Sequence, residues 1–283
     1  VWVQVPPRAP RTQVVAVPRT RIAPTPSGYL HAGNAVNFLL TRLLAIADES
    51  DVLLRIDDLD QERVRPEYVE DIFIQLDRSG IHWDRGPRNS DEHYAYWSQQ
   101  FRIPLYHGLI AELRSAKVLF ACTCSRANME HCACATKGTD LDEPEVTWRL
   151  DIPGSCPVTF DDSSGPHTVD LSELMRPPVI RQRNGRPAYQ VASLADDLHF
   201  GIDLIVRGED LLPSTACQVY MAHLLGYTAF CEARFIHHRL LTDTAGNKLS
   251  KSAGAAALAL HRSEQTDVDS LRKTAMTLLA ELR

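Results

Sequence analysis

The stretch Thr20-Arg21-Ile22-Ala23-Pro24-Thr25-Pro26-Ser27-Gly28-Tyr29-Leu30-His31-Ala32-Gly33-Asn34 reads as a short strand, a Pro/Gly-punctuated loop and the entry to a helix. A loop that runs from a strand into a helix N-terminus presents unpaired backbone N–H groups and the positive end of a dipole, a ready anion site. Small residues at Ala32 and Gly33 let a phosphate or a flat base approach the backbone, and His31 adds a donor. Far along the 283-residue chain, Asn247-Lys248-Leu249-Ser250-Lys251-Ser252 sets two lysines on a loop bracketed by Gly246 and Gly254, able to close over a bound anion. Each stretch alone is also compatible with an ordinary turn or a solvated charged loop. A third group is Cys122-Thr123-Cys124 and Cys132-Ala133-Cys134, two C-x-C pairs with seven residues between them. Four thiolates on two tight turns match a closed, tetrahedral structural zinc site, and His131 could replace Cys132 or Cys134.

The elements that position these groups follow from periodicity. Val36, Leu39, Leu40, Leu43 and Leu44 recur at helical spacing after Asn34, and Asp51 to Ile56 is a buried strand that runs into Asp57-Asp58-Leu59-Asp60. Strand, helix, strand in this order predicts a βαβ unit and a parallel sheet. Pro66 suits position N1 of a helix that ends before Gly80, and Glu92 to Leu113 is amphipathic with a break or kink at Pro104. From Val118 the helical periodicity gives way to cysteines, short β-like runs (146–150 and 157–160) and turn residues, which predicts an insertion splitting the parallel fold. Val179 to Gln182 and Ala188 to Val191 flank Arg183-Asn184-Gly185-Arg186, an Asn-Gly hairpin signal between two extended runs. The parallel fold resumes near Ser193, with a strand at 203–206, a helix at 214–225 and a last helical stretch at 268–282.

The chain is 44% hydrophobic and 23% charged, as expected of a globular protein, and no run of 18 apolar residues suggests a membrane span. Its formal net charge of −6 argues against extensive non-specific nucleic-acid binding but leaves room for a local basic patch. Arg176, Arg181, Arg183 and Arg186 could form one, touching RNA phosphates, or could simply be solvated. Seven cysteines, an odd number, suit a reducing cytoplasm better than a disulfide framework; Cys156, Cys217 and Cys231 are isolated and expected to be inert.

Together, His31-Ala32-Gly33-Asn34 and Lys248-Leu249-Ser250-Lys251-Ser252 resemble the HIGH and KMSKS motifs of class I aminoacyl-tRNA synthetases. Arg21 to Gly28, Leu54-Arg55-Ile56-Asp57-Asp58-Leu59-Asp60 and Val206-Arg207-Gly208-Glu209-Asp210-Leu211-Leu212 are similar to the glutamyl branch, above all to its short free-standing members, the glutamyl-queuosine tRNA(Asp) synthetases. The resemblance spans roughly residues 20 to 255. It implies a Rossmann-like α/β catalytic domain with a zinc-bearing α+β insertion, and a cytoplasmic, monomeric ligase using ATP, Mg2+ and Zn2+. The expected reaction joins L-glutamate to queuosine in the anticodon of tRNA(Asp). The alternatives are a truncated enzyme charging a tRNA 3′ end and a non-catalytic nucleotide- or RNA-binding paralogue.

Glutamate needs about two cations and one anion in its pocket. Arg21 and Arg207 offer planar bidentate donors, Asp57 a carboxylate for the ammonium, and Thr25 and Tyr189 hydroxyls, at the positions the resemblance also assigns. Asp57 and Thr25 depart from the usual Glu and Ser, and the second C-x-C pair departs from the usual Tyr and single Cys. His31, Gly33, Asn34, Lys248, Ser250 and Lys251 are assigned to ATP, with His31, Lys248 and Lys251 acting on the phosphate, and Cys122, Cys124, Cys132 and Cys134 to the metal. The expected divisions are a flexible extension over 1–19, half-domains over 20–117 and 189–255, the insertion over 118–188 and a helical tail over 256–283, too short for an anticodon-binding region.

Overall fold

A computed structural model describes residues 17–124, 128, 132–240 and 268–282. The elements begin with β1 (Arg19–Ile22), α1 (Ala32–Ala47), β2 (Asp51–Leu54) and α2 (Pro66–Arg78). They continue through the short α3 (Ser90–Glu92), α4 (Ile103–Ser115), β3 (Leu119–Cys122), β4 (Thr147–Leu150), β5 (Pro157–Asp162), β6 (Gly165–Asp170) and the short α5 (Leu171–Leu174). Then come β7 (Val179–Arg181), α6 (Tyr189–Phe200), β8 (Leu204–Gly208), α7 (Leu212–Leu225), the short α8 (Thr228–Cys231), β9 (Arg234–His238) and α9 (Val268–Glu281).

The larger sheet has strand order β2-β1-β8-β9-β5-β6. Its pairs are parallel from β2 through β5, and β6 closes it antiparallel. Order reverses at β1, which sends the chain to β2 on one side and receives β8 on the other. In open parallel sheets that reversal leaves a crevice beyond the carboxyl ends of the strands. Arg21 lies near the end of β1 and Arg207 near the end of β8, at the carboxyl edge of the sheet. A second sheet, β3-β4-β7, is antiparallel with a bulge between Trp148 and Arg149.

One apolar core joins α1, α2 and α9 to the sheet through Val36, Leu40, Ile72 and Leu278, all essentially inaccessible. Each such side chain contributes about 1.5–3 kcal/mol. A second core lies under β4, β5, α4, α6 and α7, with Tyr106, Leu150, Phe160 and Phe235 at its centre. Gly86 permits a close approach beside β2: its φ is +105°, and a Cβ there would stand 2.2 Å from the carbonyl oxygen of Leu54.

One expectation is corrected. Ala188 to Val191 is not extended: the reversal at 182–187 closes with an isolated bridge, Arg181 to Pro187, and Tyr189 opens helix α6. The pairing runs through Ala188, whose N–H donates to Ile180 O at 3.0 Å, and the extended backbone of Ala188, at φ −99° and ψ 165°, then serves as the N-cap of α6. The stretch from 118 to 188 contributes both the β3-β4-β7 sheet and the β5–β6 hairpin, which extends the parallel sheet through Asp161 and Arg234. Pro104 does break the amphipathic run, which divides into a π-turn at His93–Trp97, a 3₁₀ turn at Gln99–Arg102 and α4.

Candidate active site

The crevice is built around two adjacent aspartates of α6. Asp197 accepts from Arg21 Nε at 3.1 Å and from Arg55 Nη1 at 2.6 Å. Asp196 accepts a bidentate pair from Arg102 at 2.6 and 3.0 Å, the Tyr106 hydroxyl at 2.8 Å and Gln99 Nε2 at 3.0 Å. Arg55 also grips Asp57 with two bonds of 2.7 and 3.0 Å. Four buried guanidiniums (Arg21, Arg55, Arg102, Arg207) and the carboxylates of Asp57, Asp58, Asp196 and Asp197 share this region. Of the four arginines, Arg207 alone bonds no carboxylate. Its Nη1 meets a neutral partner, Gln218 Oε1 at 3.2 Å, while Nε and Nη2 are buried with no hydrogen-bond partner.

The titration shifts follow from these neighbours. Burial, reinforced by the cation of Arg21 against the opposing Tyr189, pulls Arg207 down to about 10. Burial also raises Asp57, with Arg55 offsetting part of the rise. For Asp197, burial is outweighed by Arg21, Arg55 and Arg207, which hold it below the usual carboxylate range. A guanidinium left partly unbonded in a desolvated site is costly unless an anion completes it.

Beside the arginines, the loop before α1 is fixed by Leu30 N–H donating to the buried carboxylate of Asp71 at 3.0 Å. His31 caps α1, and its N–H donates to Asn34 Oδ1 at 3.2 Å, so the Asn34 side chain is engaged in holding the helix entry. One turn further, Asn37 Oδ1 lies 3.0 Å from His238 Nε2. The segment that follows β9 therefore leaves the sheet beside the helix that His31 caps. Lys248, Ser250 and Lys251 lie outside the described residues.

A cavity of about 780 Å3 opens from Thr25, Asp57 and Tyr189 toward Cys124, Arg149 and Arg183. Its floor is steadied by Asp58, which accepts from Ser98 Oγ at 2.5 Å and Gln99 N–H at 2.7 Å and faces His93 Nε2 at 3.2 Å.

At the far end, the sulfurs of Cys122, Cys124, Cys132 and Cys134 all lie within 4.8 Å of one another. Cys122 and Cys132 are 3.7 Å apart, Cys124 and Cys134 3.6 Å. Four thiolates at about 2.3 Å from a common zinc would stand about 3.8 Å apart, whereas a disulfide needs about 2.05 Å. Burial would raise the Cys134 thiol, but the Thr123 N–H and the neighbouring thiols outweigh it and bring it to about 6. Arg149, buried beside Cys122, has an orphaned Nε and no carboxylate among the described residues. A tetrathiolate zinc centre carries two net negative charges and would satisfy it, so the donor set fits zinc. His131 lies outside the described residues, and the four sulfurs converge without it.

The family model for "tRNA synthetases class I (E and Q), catalytic domain" matches residues 17–140 and 132–282. The chain belongs to this family. It is 35% identical over 251 residues to a "Glutamyl-Q tRNA(Asp) synthetase" of Aromatoleum aromaticum, covering 84% of this chain and 75% of that protein. It is 36% identical over 238 residues to the protein of that name in Pseudomonas paraeruginosa, covering 82% and 76%. The fold is shared with the glutamate-tRNA synthetase of Elizabethkingia anophelis, at a TM-score of 0.68 and 24% identity. That match covers 84% of this chain and about half, 53%, of the solved structure. It is also shared with Mycobacterium tuberculosis methionyl-tRNA synthetase, at a TM-score of 0.56, 15% identity and 92% and 64% coverage.

In this synthetase-family chain, Thr25, Asp57 and Tyr189 line the cavity, Arg21 and Arg207 are buried near Asp197 without lining it, and His31, Gly33 and Asn34 stand at the entry to α1. Asp57 is held by Arg55, Arg21 by Asp197, and Thr25 and Tyr189 are exposed toward the cavity. Arg55, Asp196, Asp197, Arg102 and Gln218 carry no role in the sequence alone. Arg55 sits inside a recognised motif, and the adjacent aspartates of a mostly apolar helix, Val191 to Leu198, are the signal for the rest.

Proposed function

We propose that this chain activates glutamate with ATP and transfers the glutamyl group to queuosine in the anticodon of tRNA(Asp). A glutamate carboxylate oxygen attacks the α-phosphorus and pyrophosphate leaves. A hydroxyl of queuosine then attacks the acyl carbon, and AMP leaves as the ester forms. The observation that carries the amino-acid half is Arg207, buried with Nε and Nη2 open and bonded to no carboxylate. The side-chain carboxylate of glutamate can accept from both open N–H groups and bring the missing negative charge; the neutral amide of glutamine cannot. The names of the relatives quoted above support the queuosine half.

In this reading Arg207 and Arg21 hold the side-chain carboxylate, and Asp57, with Thr25 and Tyr189 near it, takes the ammonium. Asp57 does so while still bonded to Arg55, whose two bonds fix its orientation. His31 and the backbone at Gly33 and Asn34 meet ATP at the positive end of α1, and Lys248, Ser250 and Lys251 serve the triphosphate. Mg2+ would arrive on the ATP phosphates. Zn2+ would sit in the four cysteines and supply structural cross-linking, with no part in the chemistry.

The test is transfer of labelled glutamate to purified tRNA(Asp) with and without queuosine. Label on the queuosine-bearing RNA alone, released by mild base as an ester, is the expected result. Label on the 3′ end of tRNA(Glu) instead would contradict it.

A further inference from the structure

The turn between β7 and α6 is tied down at both ends of its basic surface. Its backbone closes with Gln182 N–H on Arg186 O at 2.8 Å and Gly185 N–H on Gln182 O at 2.9 Å, with Gly185 at φ +84°. Arg183 Nη2 donates to Thr123 O at 2.6 Å, inside the first C-x-C pair. Arg186 Nη1 reaches across the cavity to Glu62 Oε1 at 3.4 Å, a single long contact between exposed groups. The turn also separates two depressions. Asn184 and Arg186 line both the 780 Å3 cavity and a second one of about 590 Å3, which adds Gln100, His107 and Arg181. Among the described residues Arg181 and Arg183 form no ion pair, so this face is locally cationic on a chain of net charge −6.

We infer that residues 182–187 seat the phosphate backbone of the RNA acceptor. Arg186 is the phosphate contact, Glu62 its competing partner in the free protein, and Arg183 the positioning residue that registers the turn on the cysteine cluster. The inference rests on the RNA acceptor proposed above and assigns the residues that hold it. An exposed, monodentate Arg–Glu pair is weak and readily exchanged, whereas an arginine fork binds phosphate bidentately. A nucleotide placed in the larger cavity would have its chain neighbour over the smaller one, with the turn between them.

The experiment measures filter binding of queuosine-bearing tRNA(Asp) across a salt series, and KM for RNA in transfer, for the full chain and for R186A, E62Q, R183A and R183K. Glutamate-dependent ATP–pyrophosphate exchange without RNA reports folding and is expected to be unchanged in R186A. R186A should weaken RNA binding about five- to tenfold and reduce the salt slope by about one. E62Q should strengthen binding about two- to threefold, the opposite sign. R183A should raise KM for RNA with kcat kept, and R183K should restore part of the loss. Wild-type binding and slope in R186A, or weaker binding in E62Q, would overturn the inference. Absence of transfer by the wild type, with salt-dependent RNA binding still lost in R186A, would instead overturn the acceptor reading and leave the docking face standing.

Discussion

Two regions of the candidate site differ in their physics. At the strand ends, four arginines and the aspartates Asp58, Asp196 and Asp197 are buried, their geometry fixed by short bonds within α6, β1 and the segments before α2 and α4. Charges interact strongly in such a desolvated cluster, and an arginine without a carboxylate partner matters. At the outer end, Arg183 and Arg186 stand in water on a turn, and their interactions are screened. A small dicarboxylate needs the first environment, where discrimination comes from charge balance. A polyanion needs the second, where many weak contacts add and release counterions.

The sharpest way to break this contrast is within the buried end. Asp196→Ala would strand Arg102 and Tyr106 and lower unfolding free energy by about 3–5 kcal/mol, read by urea denaturation. A loss under 1 kcal/mol would mean that the cluster is not desolvated. Next, Arg207→Lys keeps the charge but not the fork, and should reduce kcat/KM for glutamate in exchange about a hundredfold with little change in KM for ATP.

A third effect is acid sensitivity. His237, bonded to Thr215 Oγ1 at 2.7 Å, is brought down to about 4 by burial and then by the nearby Arg207. Its folded value lies below that of the unfolded chain, so the unfolded state binds the extra proton. Stability should therefore fall by roughly 2–3 kcal/mol as pH drops from 6.5 to 4. His237→Gln should flatten this part of the stability profile; an unchanged slope would refute the assignment. The smallest effect belongs to the outer end. Raising salt from about 50 to 200 mM should increase KM for RNA on the order of tenfold while KM for glutamate moves less than about twofold. Equal shifts would erase the distinction.

The β1–α1–β2 start, the helix after Pro66, the break at Pro104 and the cysteine cluster are legible in the sequence, because each is written in local spacing or turn chemistry. That β5 and β6 join the parallel sheet is not, since the pairing of Asp161 with Arg234 is set by tertiary packing far along the chain. Asn184-Gly185 favours a hairpin and so predicts Tyr189 extended, whereas the buried apolar face of α6 draws it into a helix. Within the site, the residue types were legible and their pairings were not. Arg21 and Arg207 look equivalent in sequence, yet Asp197 bonds the first while the second is left with Gln218, and only the fold distinguishes them.

The most direct measurement is ATP–pyrophosphate exchange by the full chain without RNA, with glutamate and glutamine supplied separately. If Arg207 awaits a carboxylate, glutamate will drive exchange and glutamine will be at least a hundredfold poorer in kcat/KM. Exchange that is equal for the two, or absent with glutamate at any concentration, would contradict the account.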